Sequence, residues 1–134
     1  MIALSKDGVE VVENVAIGRQ AIDGRRLVPI DGNVIRERNR IRFNGAAVAT
    51  IVMDSKGNLL GDPQLSIQGV LDEEVESYLW DHVVNEVEEA VKRLKPSERR
   101  NDDAVGEAAR LAVRRTLRES TGKRPVTDVH VVRV

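Results

Sequence analysis

The sequence predicts an α+β fold: a three-stranded, mainly antiparallel sheet covered on one face by two antiparallel helices, in the order β-β-α-α-β, with a short β-rich arm ahead of it. Three observations carry this expectation. Residues 46–53, Ala-Ala-Val-Ala-Thr-Ile-Val-Met, are apolar, β-branched and short, as a buried strand should be. Two later stretches place apolar side chains at helical spacing on one face. The closing segment 125–134, Pro-Val-Thr-Asp-Val-His-Val-Val-Arg-Val, has strong strand propensity. At 134 residues the chain is long enough to bury one core without covalent staples.

The elements follow in order. Residues 1–31 hold β-like pieces at 9–17 and 21–30, punctuated by Asp7-Gly8, Gly18 and Asp23-Gly24, which supply tight turns. They contain too few apolar residues to form a core alone. Residues 32–45 are a basic connector, read as a short helix, in which Arg36, Arg38, Arg40 and Arg42 face one glutamate, Glu37. The domain proper spans 46–134. Its first strand turns through Asp54-Ser55-Lys56-Gly57-Asn58 into a second strand over 59–70, interrupted by Gly61-Asp62-Pro63. A helix over 72–94 starts at Asp72 as N-cap, carries Glu73, Glu74 and Glu76 in its first turn, and stops before Pro96. Its stripe is Leu71, Val75, Leu79, Val83, Ala90 and Leu94, widened by Trp80, Val84, Val87 and Val91. The second helix, 102–120, begins at Asn101 or Asp102 and ends at Gly122; Ala108, Ala109 and Ala112 on its apolar face allow close approach of the first.

Composition excludes whole classes of function. With no cysteine, disulfides, thiolate metal sites and a cysteine nucleophile are ruled out. The 21 basic and 22 acidic residues leave a net charge of −1, so no global attraction to nucleic acid exists. One Trp, one Tyr and one Phe are too few for a base-stacking module. No apolar run is long enough to cross a bilayer, no secretion signal opens the sequence, and a cytoplasmic location is expected.

Little in the chain announces chemistry. His82 with Glu86 at i, i+4, and Asp128 with His130 on one strand face, each offer two metal ligands where a working site needs three or four. No serine sits in a nucleophile elbow, and Gly57-Asn58-Leu59-Leu60-Gly61 has neither phosphate-loop nor KH spacing. No catalytic residue, metal ligand or cofactor is therefore expected in this chain. Arg36, Arg38, Arg40 and Arg42 form the concentrated positive patch, suited to the RNA backbone or to an acidic neighbouring domain; RNA contact through it would be weak and electrostatic. The breadth of the apolar face on the first long helix leaves Trp80, Val84 and Val91 at its far edge, a candidate surface for self-association.

An ordered series of motifs resembles the C-terminal end of ribonuclease J, a metallo-β-lactamase/β-CASP ribonuclease. Val15-Ala16-Ile17-Gly18-Arg19 followed by Ile22-Asp23-Gly24 looks like the segment closing the β-lactamase domain. Gly32-Asn33-Val34-Ile35-Arg36-Glu37-Arg38 is similar to the family's connector. Asn44-Gly45, then Ile67-Gln68-Gly69-Val70, resemble its hairpin, and Lys123-Arg124-Pro125-Val126 its closing signature. The resemblance implies a parent enzyme that is a zinc-dependent endoribonuclease and 5′-to-3′ exoribonuclease of RNA processing and decay. Its His-x-His-x-Asp-His motif would lie upstream, so no ligand transfers to this chain, which is expected to be a piece of that enzyme. The resemblance assigns the piece to oligomer assembly and full activity, with the parent's catalytic domains as partners. The alternative from the residues alone is a free-standing small adaptor that binds RNA or protein through the arginine patch.

Overall fold

The protein is described here by a computed structural model over residues 20–134; the strand expected at 9–17 and the motif at 15–19 lie outside the described residues. The chain divides into two compact units, Met1–Arg40 and Ile41–Val134.

In the first unit, β1 (Gln20–Asp23) and β2 (Arg26–Pro29) form an antiparallel hairpin with Asp23 opposite Arg26. Gly24 turns the chain at φ 62°, and the Asp23 carboxylate accepts from Arg26 Nε at 3.0 Å. The Gly32 N–H then donates to Pro29 O at 3.0 Å, turning the chain into α1 (Asn33–Asn44). The expected short helix is present and is longer than two turns. None of its side chains is buried, in keeping with its polar composition.

The second unit is built on β3 (Ala46–Met53). Its burial alternates strictly: Ala47, Ala49, Ile51 and Met53 are sealed in the core, while Ala46, Val48, Thr50 and Val52 are half-buried on the opposite face. The run is apolar throughout, yet the sheet has helices on one side, so period two reasserts itself in burial. β4 (Gln64–Gln68) pairs antiparallel with β3, Ala47 opposite Ile67 and Ala49 opposite Leu65. The return is shorter than expected because Gly61-Asp62-Pro63 breaks it, leaving an isolated bridge between Met53 and Leu59.

α2 (Ser77–Lys92) starts five residues later than the sequence suggested. Asp72 caps a separate turn: its carboxylate accepts the N–H of Glu74 at 3.0 Å, while its own N–H donates to Glu76 Oε1 at 2.9 Å. Capping chemistry is thus spent one turn early, and Val75 is left 72% exposed. Pro96 opens a short helix that the sequence reading missed, α3 (Pro96–Arg99), in which Glu98 Oε1 accepts the Lys95 N–H at 2.9 Å. α4 (Asp102–Thr121) is capped as expected: Asn101 Oδ1 accepts from Asp103 N at 2.9 Å, and Gly122 closes the helix at φ 76°. Val83, Val87 and Val91 of α2 meet Val105, Ala109, Ala112, Val113 and Leu117 of α4 over the buried face of β3.

β5 (Val126–Arg133) corrects the expected sheet. It lies on the other side of β3 and runs parallel to it, Ala46 opposite Val126 through Met53 opposite Arg133, so the order is β4-β3-β5 and the sheet is mixed. The reason is directional. β4 ends where β3 began, and the helical excursion out along α2 and back along α4 returns the chain to that same end. A strand added beside β3 from there must run with it.

Candidate functional site

Two of the motifs singled out in the sequence meet at the start of β5. The Arg124 N–H donates to Asn44 Oδ1 at 3.2 Å, Lys123 Nζ to Phe43 O at 2.8 Å, and Val126 N to Gly45 O at 3.0 Å. Gly45 sits at φ 81°, where an added Cβ would collide with the Val70 side chain and meet Gln68 O at 2.7 Å. These residues couple the end of α1 to both edge strands at one end of the sheet. They position; they carry no chemistry.

The opposite end is tied by Arg133. Its planar guanidinium donates to Asp102 Oδ1 at 2.8 Å, Asp54 O at 2.9 Å and Arg99 O at 2.8 Å, joining β5 to the hairpin loop, α3 and α4 in one fork. Asp54 is itself organised: backbone and side-chain hydrogen bonds from Asn58, with the Lys56 N–H, hold its carboxyl below the usual range.

The arginines expected to form one patch are split by the helix they stand on. At 100° per residue, Arg36 and Arg40 share one face of α1, and Arg38 and Arg42 the opposite one. Arg38 is ion-paired with Asp23, whose carboxyl is lowered first by that bond and then by Arg26. Arg36 donates to Asn33 Oδ1 at 3.0 Å, and Arg42 lies over the Phe43 ring at 5.5 Å.

A second basic surface stands on α4, where the sequence reading followed the apolar face alone. Arg114, Arg115 and Arg118, with Arg124 and the exposed Leu111, line a concavity of about 240 Å³. Arg115 approaches Glu86 of α2 at 3.8 Å. The signal was in the spacing of Arg110, Arg114, Arg115 and Arg118 on the helix's outward side. Arg110 is already engaged: it grips Glu107 through two bonds of 3.0 and 2.8 Å, which lower the Glu107 carboxyl and raise the guanidinium.

Comparison with known proteins places this architecture. Residues 33–134 match the ribonuclease J C-terminal domain family, and the whole chain is 32% identical over 139 residues to ribonuclease J of Sinorhizobium meliloti. The chain belongs to the ribonuclease J C-terminal domain family. It spans 24% of the length of that relative.

The remaining candidates fall into place around the family's fold. Val91 is fully buried between the helices beside Val83 and Val87; Trp80 is partly buried and packs against the core, and Val84 is half-buried. The strip is thus turned inward at Val91, which offers no surface. His82 and His130 are both exposed, as is Asp128. Among the described residues no three His, Asp or Glu side chains gather to hold a metal ion. Among the described residues no helix is long and apolar enough to cross a membrane.

Proposed function

We propose that this chain is the non-catalytic C-terminal part of a ribonuclease J, and that it supports assembly and full activity of a nuclease that processes and degrades RNA. The observation that carries this reading is the coincidence of the family match, 33–134, with α1 and the complete α+β unit. The chemistry then belongs to the parent's catalytic domains, which are the chain's partners, in the cytoplasm where RNA is handled. RNA contact by this part is secondary and electrostatic, through the outward arginines of α4 and those of α1 that have no carboxylate beside them.

The test is a graft. A ribonuclease J catalytic region stripped of its own C-terminal domain is compared with the same region carrying this chain, on 5′-monophosphorylated RNA and by molar mass. The graft is expected to raise both turnover and assembly, while the chain alone gives no turnover with zinc, manganese or magnesium. Cleavage by the pure chain, or a graft that changes neither quantity, overturns the proposal.

A further inference from the structure

Asn44 is the only asparagine of the sequence followed directly by glycine. Such a pair is especially prone to lose its side-chain amide, because no Cβ beside the glycine nitrogen hinders attack on the neighbouring carboxamide. In this fold the reacting groups are all engaged. The Gly45 N–H donates to Ile41 O at 2.7 Å, the Arg124 N–H to Asn44 Oδ1 at 3.2 Å, and the Val126 N–H to Gly45 O at 3.0 Å. Asn44 is also the last residue of α1, whose helical backbone turns the Gly45 nitrogen toward Ile41 O and away from the Asn44 side chain. Gly45 itself is buried.

We propose that Asn44 is a latent self-modification site, shielded while β5 is seated and converted by water to aspartate or isoaspartate once β5 detaches. No side chain of α1 is buried, and the hydrogen bonds that fasten its end come from Lys123, Arg124 and Val126 at the entry to β5. When these are lost, the last turn opens for the cost of local hydrogen bonds alone, and the Gly45 nitrogen is released.

The reaction needs only water and solvent base. The Gly45 nitrogen gives up its proton and attacks Asn44 Cγ; the N–Cγ bond forms, the Cγ–Nδ2 bond breaks, and Nδ2 takes a proton and leaves as ammonia. Water then opens the five-membered imide. Addition at Cγ, breaking the Cγ–N bond, leaves aspartate. Addition at the Asn44 main-chain carbonyl carbon, breaking its bond to the Gly45 nitrogen, leaves isoaspartate, with the chain rerouted through the side chain. One water is consumed and one ammonia released.

The fold accepts these products unequally. Aspartate keeps an oxygen for the Arg124 N–H. Isoaspartate inserts an extra backbone atom beside Gly45, where an added Cβ already meets Gln68 O at 2.7 Å and Gly69 O at 2.9 Å. Ala46 then cannot return to its register opposite Gln68 and Val126, so a reversible loss of β5 becomes permanent.

The experiment follows residue 44 by peptide mass and by isoaspartate-specific methylation in the 134-residue chain at mildly alkaline pH, in buffer, in sub-denaturing urea and fully unfolded. Conversion at Asn44 is expected to be at least about tenfold slower in buffer than in the unfolded chain, because the folded rate scales with the open fraction. It should climb with urea in step with hydrogen exchange at the Val126 amide. Lys123→Ala removes an exposed tether to Phe43 O and should speed conversion in buffer about two- to tenfold, in proportion to one lost hydrogen bond, with circular dichroism unchanged. After removal of urea, chains with aspartate at position 44 should regain Val126 protection and isoaspartyl chains should not. Equal rates folded and unfolded, conversion that rises while Val126 stays protected, indifference to Lys123→Ala, or full protection in isoaspartyl chains would each overturn the inference.

Discussion

At the scale of single residues, Arg133 and Gly45 each tie together segments of the second unit that are distant in sequence. The Arg133 fork satisfies two backbone carbonyls and one carboxylate from three separate segments, and its side chain is 22% exposed. Arg133→Lys keeps the charge and loses the planar geometry. It is expected to cost about 1.5–3 kcal/mol in urea unfolding, nearly as much as Arg133→Ala, because an ammonium cannot reach all three acceptors. Gly45 offers a sharper comparison. Gly45 and Gly122 both adopt positive φ, but a Cβ at Gly122 meets nothing within 4 Å, whereas at Gly45 it meets Gln68 O at 2.7 Å and Gly69 O at 2.9 Å. Gly122→Ala should therefore cost about 1 kcal/mol from backbone strain alone, and Gly45→Ala distinctly more. Equal losses in thermal unfolding would mean that the contact beside β4 yields freely. The Arg133 fork was not legible in the sequence, and Asn44-Gly45 stood out only through the family resemblance; their contacts appear once the chain brings residues about 80 positions apart into hydrogen-bonding distance.

The elements show where periodicity reasoning holds and where it slips. Leu71, Val75, Leu79 and Val83 do repeat every four residues, but the first two precede a helix that begins at Ser77. The fully buried stripe is centred on Val83, Val87 and Val91, so Val91, assigned to a spare surface, is core, while Trp80 and Val84 stay partly buried. The slip came from Asp72, whose acidic neighbours and capping side chain mark a helix start equally well whether the turn they close continues or stops. α4 had no such decoy, and its Asn101 cap, Gly122 terminus and small-residue face were all readable. A direct check on the corrected stripe is Val87→Ala, expected to cost about 2 kcal/mol through lost burial and a residual cavity. Tyr78→Ala on the same helix removes a far larger side chain that is 66% exposed, and should stay within about 0.5 kcal/mol. The reverse ranking would restore the original phase of the helix.

For the molecule as a whole, the strand order was the least legible feature, although its ingredients were present. A hairpin followed by two antiparallel helices returns the chain to the end where β3 starts; nothing local says on which side of the hairpin the last strand then settles. Charge distribution was similarly half-visible, since the four arginines of α1 are conspicuous in sequence and dispersed in space, while those of α4 are inconspicuous and gathered. Weak RNA binding at low salt should reflect this. Arg114→Ala with Arg118→Ala is expected to reduce the dependence of log affinity on log salt by about 0.7 per residue for single-stranded RNA. Arg38→Ala, already neutralised by Asp23, should reduce it least, and a larger change from Arg38 would relocate the contact to α1.

The parallel pairing of β3 with β5 also sets the order in which the fold can be acquired. The hairpin and the helices are local and can form as the chain lengthens, but the central strand keeps one edge unsatisfied until a segment some eighty residues further along arrives. During synthesis, then, the apolar row Ala47, Ala49, Ile51 and Met53 waits beside an open ladder through the whole passage of α2 and α4. Cooperative stability comes late and all at once. Refolding should be slower than helix content alone would suggest, and a chain stalled before Val126 would present β3 to other strands, the state most prone to aggregate.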